Sequence, residues 1–179
     1  MTHALLDQEK QHLANLLEAI QRCVYFLDAA SSTLVWPLNP EALYRQKKNK
    51  VLFGALAAVN ERFAKLQDTL GAAMRHAMGL LSEPSETFLK VLAFYEKVGV
   101  IESVTVWQTC RTARNLAAHS YETDYLAIAE HFNTLAEMLP VLYRASREFV
   151  SYCQLTLDVA PSSNDFAEEF AAIVGPIPP

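Results

Sequence analysis

Apolar residues recur every three or four positions along most of the chain, the spacing of one face of an α-helix. Leu13, Leu16, Leu17, Ile20, Val24 and Leu27 form such a stripe and predict a first helix over about residues 4–30. Ser31-Ser32-Thr33 ends it, and Pro37 and Pro40 keep the following connection out of helix. A second stripe, Leu52, Leu56, Val59, Phe63, Leu66 and Leu70, predicts a helical region over about residues 41–78. Gly54 and Gly71 weaken it, since glycine costs about 1 kcal/mol relative to alanine inside a helix. Gly79 and Ser82-Glu83-Pro84 mark the next turn. A short helix with Phe88, Leu89, Leu92 and Tyr95 is expected over about residues 84–97, stopped by Gly99. Ser103 is a candidate N-cap for a fourth helix reaching about residue 118. Asp124 is a candidate N-cap for a fifth, which Pro140 should bend or interrupt before it continues to about residue 155. The expected fold is an all-α antiparallel helical bundle of four to five main helices.

After Leu157 the pattern changes. Residues 158–179 hold Asp158, Asp165, Glu168 and Glu169, no Lys or Arg, and Pro161, Pro176, Pro178 and Pro179. The chain thus divides into a bundle, residues 1–157, and an acidic, proline-containing C-terminal tail, residues 158–179. Within the tail Phe166, Phe170, Ala171 and Val174 make a weakly amphipathic segment. It reads either as a docked or frayed terminus or as a partner-binding helix.

Composition narrows the function classes. The 179 residues include 15 Lys and Arg against 20 Asp and Glu, a formal net charge of -5. That argues against a protein that coats nucleic acid nonspecifically, because phosphate binding rests on clustered cations. The tail supplies four of the carboxylates, so the remaining body is near -1, which leaves room for a local basic site. No apolar run approaches the roughly 20 residues that span a bilayer. The polar segment from Met1 to Lys10 does not read as a signal peptide. Cys23, Cys110 and Cys153 are far apart and read as reduced, buried thiols, which suggests a cytoplasmic protein. Only five glycines are present, and neither a dinucleotide-binding nor a Walker glycine pattern occurs.

The segment from Arg111 to Tyr121, Arg-Thr-Ala-Arg-Asn-Leu-Ala-Ala-His-Ser-Tyr, concentrates the chemistry. Val106, Cys110, Ala113 and Ala117 share an apolar stripe. Trp107, Arg111, Arg114 and Ala118 share another. Arg114 and His119 are five apart and differ in direction by roughly 140° on an ideal helix. They serve one site only if His119 lies at a helix end or a second copy of the chain completes the site, so a homodimer is expected. Such a set could cleave a phosphodiester without metal. His119 would take the proton from a ribose 2′-hydroxyl or give one to the leaving oxygen. Arg114 would stabilise charge on the phosphate through its bidentate fork, and Asn115 would orient His119 or the phosphate. The chemistry requires no cofactor. His3, His12, His76, His119, His131 and the cysteines show no metal-ligand spacing. Taken alone, the spacing of Arg114 and His119 fits better an arginine paired to a surface carboxylate and a histidine capping a helix C-terminus.

Residues 114–121, Arg-Asn-Leu-Ala-Ala-His-Ser-Tyr, resemble the signature of HEPN domains. They are most similar to the HepT toxin branch, whose motif is Arg, four residues, His, any residue, Tyr. Gly99-Val100-Ile101, Trp107, Asp124 and Pro140 around the motif, and the run from Arg62 to Gly71, resemble the same branch. The resemblance covers about residues 5–155. It implies an all-α, dimeric ribonuclease toxin acting on RNA such as tRNA or mRNA. It also implies a partner, an MntA-like nucleotidyltransferase antitoxin that adenylylates the motif tyrosine, here Tyr121. An adenylate there would put charge and bulk where substrate phosphate binds. The chain departs from the branch at Leu116, Ala117 and Ala118, where a cation is often found, and Arg111, one turn before Arg114, is a partial substitute. That departure motivates an alternative, a catalytically inactive HEPN module that only binds a nucleotidyltransferase.

Further polar features are open to two readings. Arg45, Lys47, Lys48 and Lys50, with Tyr44, could guide an RNA backbone or form a solvated helix start. Glu61, Arg62 and Asp68 are polar positions on the second helix, where one carboxylate could hold Arg114 or His119 of the partner chain, with Glu61 the expected supporting residue, or where the three form a surface network. Trp36 and Trp107 are expected in the core or at a dimer interface.

Overall fold

The computed structural model describes residues 3–116 and 123–175. These form seven helices and no strand: α1 (His3–Ser31), α2 (Pro40–Arg45), α3 (Lys50–Leu80), α4 (Phe88–Lys97), α5 (Val104–Leu116), α6 (Tyr125–Leu157) and α7 (Ala167–Val174). The protein is an all-α bundle, as the periodicity implies.

Side-chain caps explain the starts. Asn39 accepts from the Ala42 amide at 3.0 Å, with Pro40 opening α2. Asn49 accepts from the amides of Val51 and Leu52, both at 3.1 Å. The expected single helix over residues 41–78 is therefore two, because these caps restart the chain on either side of a turn at Gln46–Asn49. Thr87 accepts from the Lys90 amide and moves the start of α4 to Phe88, four residues later than the expected Pro84. Asp124 caps α6 through the amides of Leu126 and Ala127.

The glycines of α3 do not break it. Gly54 has open space around it, and Gly71 lies under Phe88, where an added Cβ would meet the ring at 3.1 Å. Pro140 does not interrupt α6 either. It is exposed, so the missing donor falls on the solvent side, while buried Leu135, Leu139 and Leu142 hold both halves of the helix against the core.

Contacts between the long helices set their directions. Glu9 and His12, early in α1, meet His76, late in α3, whereas Phe26, late in α1, lies under Arg62, early in α3. These two helices are antiparallel. His131 meets Asn60 near the start of α6, and Tyr95 of α4 ties Met74 of α3 to Phe149 and Tyr152 of α6. Helices α3 and α6 therefore run parallel. Gln67 meets Trp107, and Ala64 and Asp68 meet Arg114, so α5 runs antiparallel to α3. The succession α1, α3, α5, α6 alternates in direction.

Tyr95 is the pivot of the core. It is fully buried, donates to the Met74 carbonyl at 3.0 Å, and packs edge-on against Phe94, Phe149 and Tyr152. Burial pushes its phenol far above the ordinary value, so it stays a neutral donor.

The chain beyond α6 turns back at Asp158, which adopts the left-handed conformation with φ 53°. Val159 then enters the core. The Ser162 amide donates to the Ala14 carbonyl at 3.1 Å, its hydroxyl bonds Glu18, and Phe166 stacks beside Tyr25. Phe170 and Val174 of α7 are buried, and Arg147 donates to the Val174 carbonyl at 3.2 Å. Residues 158–175 are thus packed onto α1 and α6. Phe170→Ala should destabilise the protein by about 3 kcal/mol, the scale for a truncated buried aromatic, read as a lower urea midpoint in a single transition. A shift below about 0.5 kcal/mol, ordinary for surface substitutions, would mean that α7 is not part of the cooperative unit.

Candidate functional site

A groove of about 600 Å³ lies between α1, α3, α5 and the start of α4. Its α3 wall is built from Gln67, Asp68, Gly71, Ala72, Arg75 and His76. These repeat with the three-to-four spacing of one helical face, and the small pair Gly71-Ala72 makes the depression. Phe88 leans on Gly71, and buried Trp107 closes the floor from α5. His12 and Leu16 line the α1 side.

Two of the expected residues, Arg111 and Arg114, line this groove. The stripe of Trp107, Arg111 and Arg114 turns toward α3, while Cys110 and Ala113 of the other stripe are buried. Arg114 is half-buried. Its Nη1 bonds Asp68 and donates to the Ala64 carbonyl at 3.5 Å, and its Nε donates to Asn115 Oδ1 at 3.4 Å. Asn115 thereby orients the guanidinium.

The carboxylate beside Arg114 is Asp68. Glu61 pairs with Arg62 at 3.6 Å and does not line the groove. Two helical turns of α3 separate Glu61 from Asp68 on the same face, so periodicity alone gave no ground for choosing between them. His119 and Tyr121 lie outside the described residues. So do Ala117 and Ala118.

The groove also holds residues that the spacing along the chain did not single out. His12 and His76 are 64 positions apart in sequence, yet their rings meet edge-on with centroids 4.7 Å apart. His76 Nε2 lies 2.9 Å from the Glu9 carbonyl oxygen and 3.4 Å from a Glu9 carboxylate oxygen. Arg75 lies with its guanidinium 5.7 Å from the centre of the Phe88 ring. The usable signal was the polar and small stripe Asp68, Gly71, Ala72 and Arg75 beside the apolar stripe of α3.

Three guanidinium groups therefore face one carboxylate, Asp68, in this groove. Among the described residues neither Arg75 nor Arg111 pairs with a carboxylate. The arrangement suits an anionic ligand with several acceptor oxygens. Gln67 adds a complementary feature. Its Nε2 donates to the Trp107 carbonyl at 3.2 Å, while its buried Oε1 has no partner. A buried unpaired acceptor costs about 1–3 kcal/mol, which a donor on a ligand would recover.

The other titratable groups lie elsewhere. His131 sits between α6 and α3, and its burial holds its pKa below the usual histidine value. Tyr44 and the cations after it flank the turn between α2 and α3, where Lys47 covers the Tyr44 ring at 4.4 Å and Tyr125 meets it edge-on. Among the described residues no group of three or more His, Cys, Asp and Glu is placed to hold a metal ion, and no helix is long and apolar enough to cross a membrane.

All three cysteines are buried and free. Burial raises the Cys110 thiol to about 11 and that of Cys153 to about 12, and it raises Cys23 against the opposing hydrogen bond from Thr69. The reactive species is the thiolate. Native protein at pH 8 should therefore leave all three thiols unmodified by a disulfide reagent, with three equivalents reacting after denaturation. Rapid labelling of one thiol in the native state would contradict that burial.

No family model, curated protein or solved structure matches this chain.

Proposed function

We propose that the protein is a metal-independent endoribonuclease, a HEPN toxin of the HepT type, neutralised by a nucleotidyltransferase that adenylylates Tyr121. The observation that carries this reading is the convergence of Arg111 and Arg114, from the segment that holds the motif, with Arg75 in one groove. The resemblance of residues 114–121 to the HepT motif supports it. So does the position of Arg45, Lys47, Lys48 and Lys50, near the end of the bundle where α5 finishes and α6 begins.

In this mechanism His119 removes the proton from a ribose 2′-hydroxyl. That oxygen attacks the adjacent phosphorus, and the bond to the 5′-oxygen breaks. The leaving oxygen takes up a proton, giving a 2′,3′-cyclic phosphate and a 5′-hydroxyl end. Arg114 balances the charge that builds on the phosphoryl oxygens, with Asn115 fixing its fork and Arg111 adding a second cation. Two copies of the chain bring two motifs together, which lets histidine and arginine of different protomers act on one phosphate. In neutralisation the Tyr121 oxygen attacks the α-phosphorus of ATP and pyrophosphate leaves. The adenylate then occupies the place of substrate phosphate.

His119→Ala and Arg114→Ala should each lower RNA cleavage by roughly 10²–10⁴-fold, the range for a lost proton-transfer group or oxyanion-stabilising donor. Both should abolish growth arrest on expression while the helical circular dichroism is kept. Arrest equal to that of the parent in both variants would remove the catalytic assignment. Co-expression with a competent nucleotidyltransferase should add an adenylate mass to the peptide containing Tyr121.

A second reading is a HEPN module that docks a nucleotidyltransferase without cleaving RNA. The Arg114–Asp68 pair and the apolar Leu116-Ala117-Ala118 interior favour it. Cleavage of RNA by purified, unmodified protein, with a cyclic phosphate on the product, would exclude it.

A further inference from the structure

Beyond Arg111, which borders the reaction centre, the groove continues past Arg75, His12 and Gln67, none of which acts in the chemistry proposed above. Arg75 and Arg111 come from different helices, α3 and α5, and both face the depression at Gly71-Ala72. The Phe88 ring lies against Gly71 and beneath the Arg75 guanidinium, so a side chain at position 71 would disturb that guanidinium's support. The exposed His12 ring stands edge-on to His76, which is held by Glu9. Gln67 is 3% exposed, and its Oε1 is an acceptor with no partner.

These features ask for a particular ligand. Two guanidinium forks suit phosphate oxygens. An unpaired acceptor suits a hydroxyl or amino donor on the same molecule. An imidazole ring fixed by a neighbour suits the face of a base. A nucleotide carries all three groups, whereas a bare phosphate offers mainly acceptor oxygens and no ring.

We propose that the groove bounded by Arg75, Arg111, His12 and Gln67 is a nucleotide subsite for the RNA strand, holding the nucleotide next to the one that is cleaved. Arg75 and Arg111 grip its phosphate, His12 stacks on its base, and Gln67 Oε1 accepts from its base amino group or ribose. The inference rests on the ribonuclease reading for the source of the nucleotide, and its test reads binding separately from cleavage.

The probe is a tetra-adenylate with 2′-O-methyl groups, which cannot be cleaved because its nucleophilic hydroxyls are blocked. Its affinity for the full chain is measured by fluorescence anisotropy, with AMP and inorganic phosphate as competitors at constant ionic strength. Arg75→Gln should weaken the oligonucleotide about tenfold, the scale of one lost charge-assisted bond. His12→Ala should weaken it at least about fivefold, the lower end of base stacking. Both residues are exposed, so both variants should keep the parent's melting temperature. AMP should compete better than inorganic phosphate.

Unchanged affinity in Arg75→Gln, or inorganic phosphate competing as well as AMP, would overturn the subsite. Binding of AMP with no binding of the oligonucleotide would overturn RNA as its source. Protein that binds the oligonucleotide through Arg75 and His12 but cleaves no RNA keeps the subsite and removes the ribonuclease reading. Protein that cleaves RNA equally well as wild type and Arg75→Gln keeps that reading and removes the subsite.

Discussion

The hydrogen bond from the Gln67 amide to the Trp107 carbonyl, at 3.2 Å, ties α5 to α3 through the core. Both partners are buried. Gln67 reaches across to a backbone carbonyl of α5, and Trp107 fills the space beneath. This contact, the Arg114 bonds to Ala64 and Asp68, and the packing of α5 on α6 together hold α5 so that the stripe carrying Arg111 and Arg114 turns toward Asp68, Gly71 and Arg75. A slip of α5 by one residue would rotate those side chains by roughly 100° and remove them from the groove. The bond leaves the Gln67 Oε1 without a partner in a residue that lines the groove. Buried polar groups left unsatisfied in a folded protein are commonly tied to a functional role or to an unseen partner.

Charge is distributed to the same effect. The chain is acidic in total, but the carboxylates of residues 158–175 are carried by a segment that packs on α1 and α6, whereas the groove lies between α1, α3, α4 and α5. Within the groove, guanidinium groups outnumber carboxylates. The Arg114–Asp68 pair is partly exposed, with the Asp68 side chain at 65% exposure. Such pairs contribute little net stability. Asp68 thus holds Arg114 in position at the rim of the groove.

Much of the fold was legible in the apolar stripes of α1 and α3 and in the Asp124 cap of α6, because a long amphipathic helix buries one face whatever its neighbours are. The break within the expected helix over residues 41–78 was less legible. Asn39 and Asn49 act as caps only when the chain turns locally, and a polar residue in a helical run can equally lie on the solvent face. Pro140 shows the opposite case, where tertiary packing carried a helix past a residue that local rules would use to end it.

Arg111, Arg114 and Asn115 could be singled out from the chain because they lie within one short segment whose composition suits phosphate chemistry. The sequence alone determined that much, together with the all-α class, since both depend on local periodicity and residue type. Tertiary structure decided which carboxylate meets Arg114, that Arg75 faces the same space, and that His12 and His76 touch although 64 positions apart. Those facts depend on the direction and register of α1, α3 and α5 relative to one another. Helix-to-helix register is set by side-chain interdigitation and by single buried bonds such as that of Gln67, none of which leaves a periodic trace along the chain.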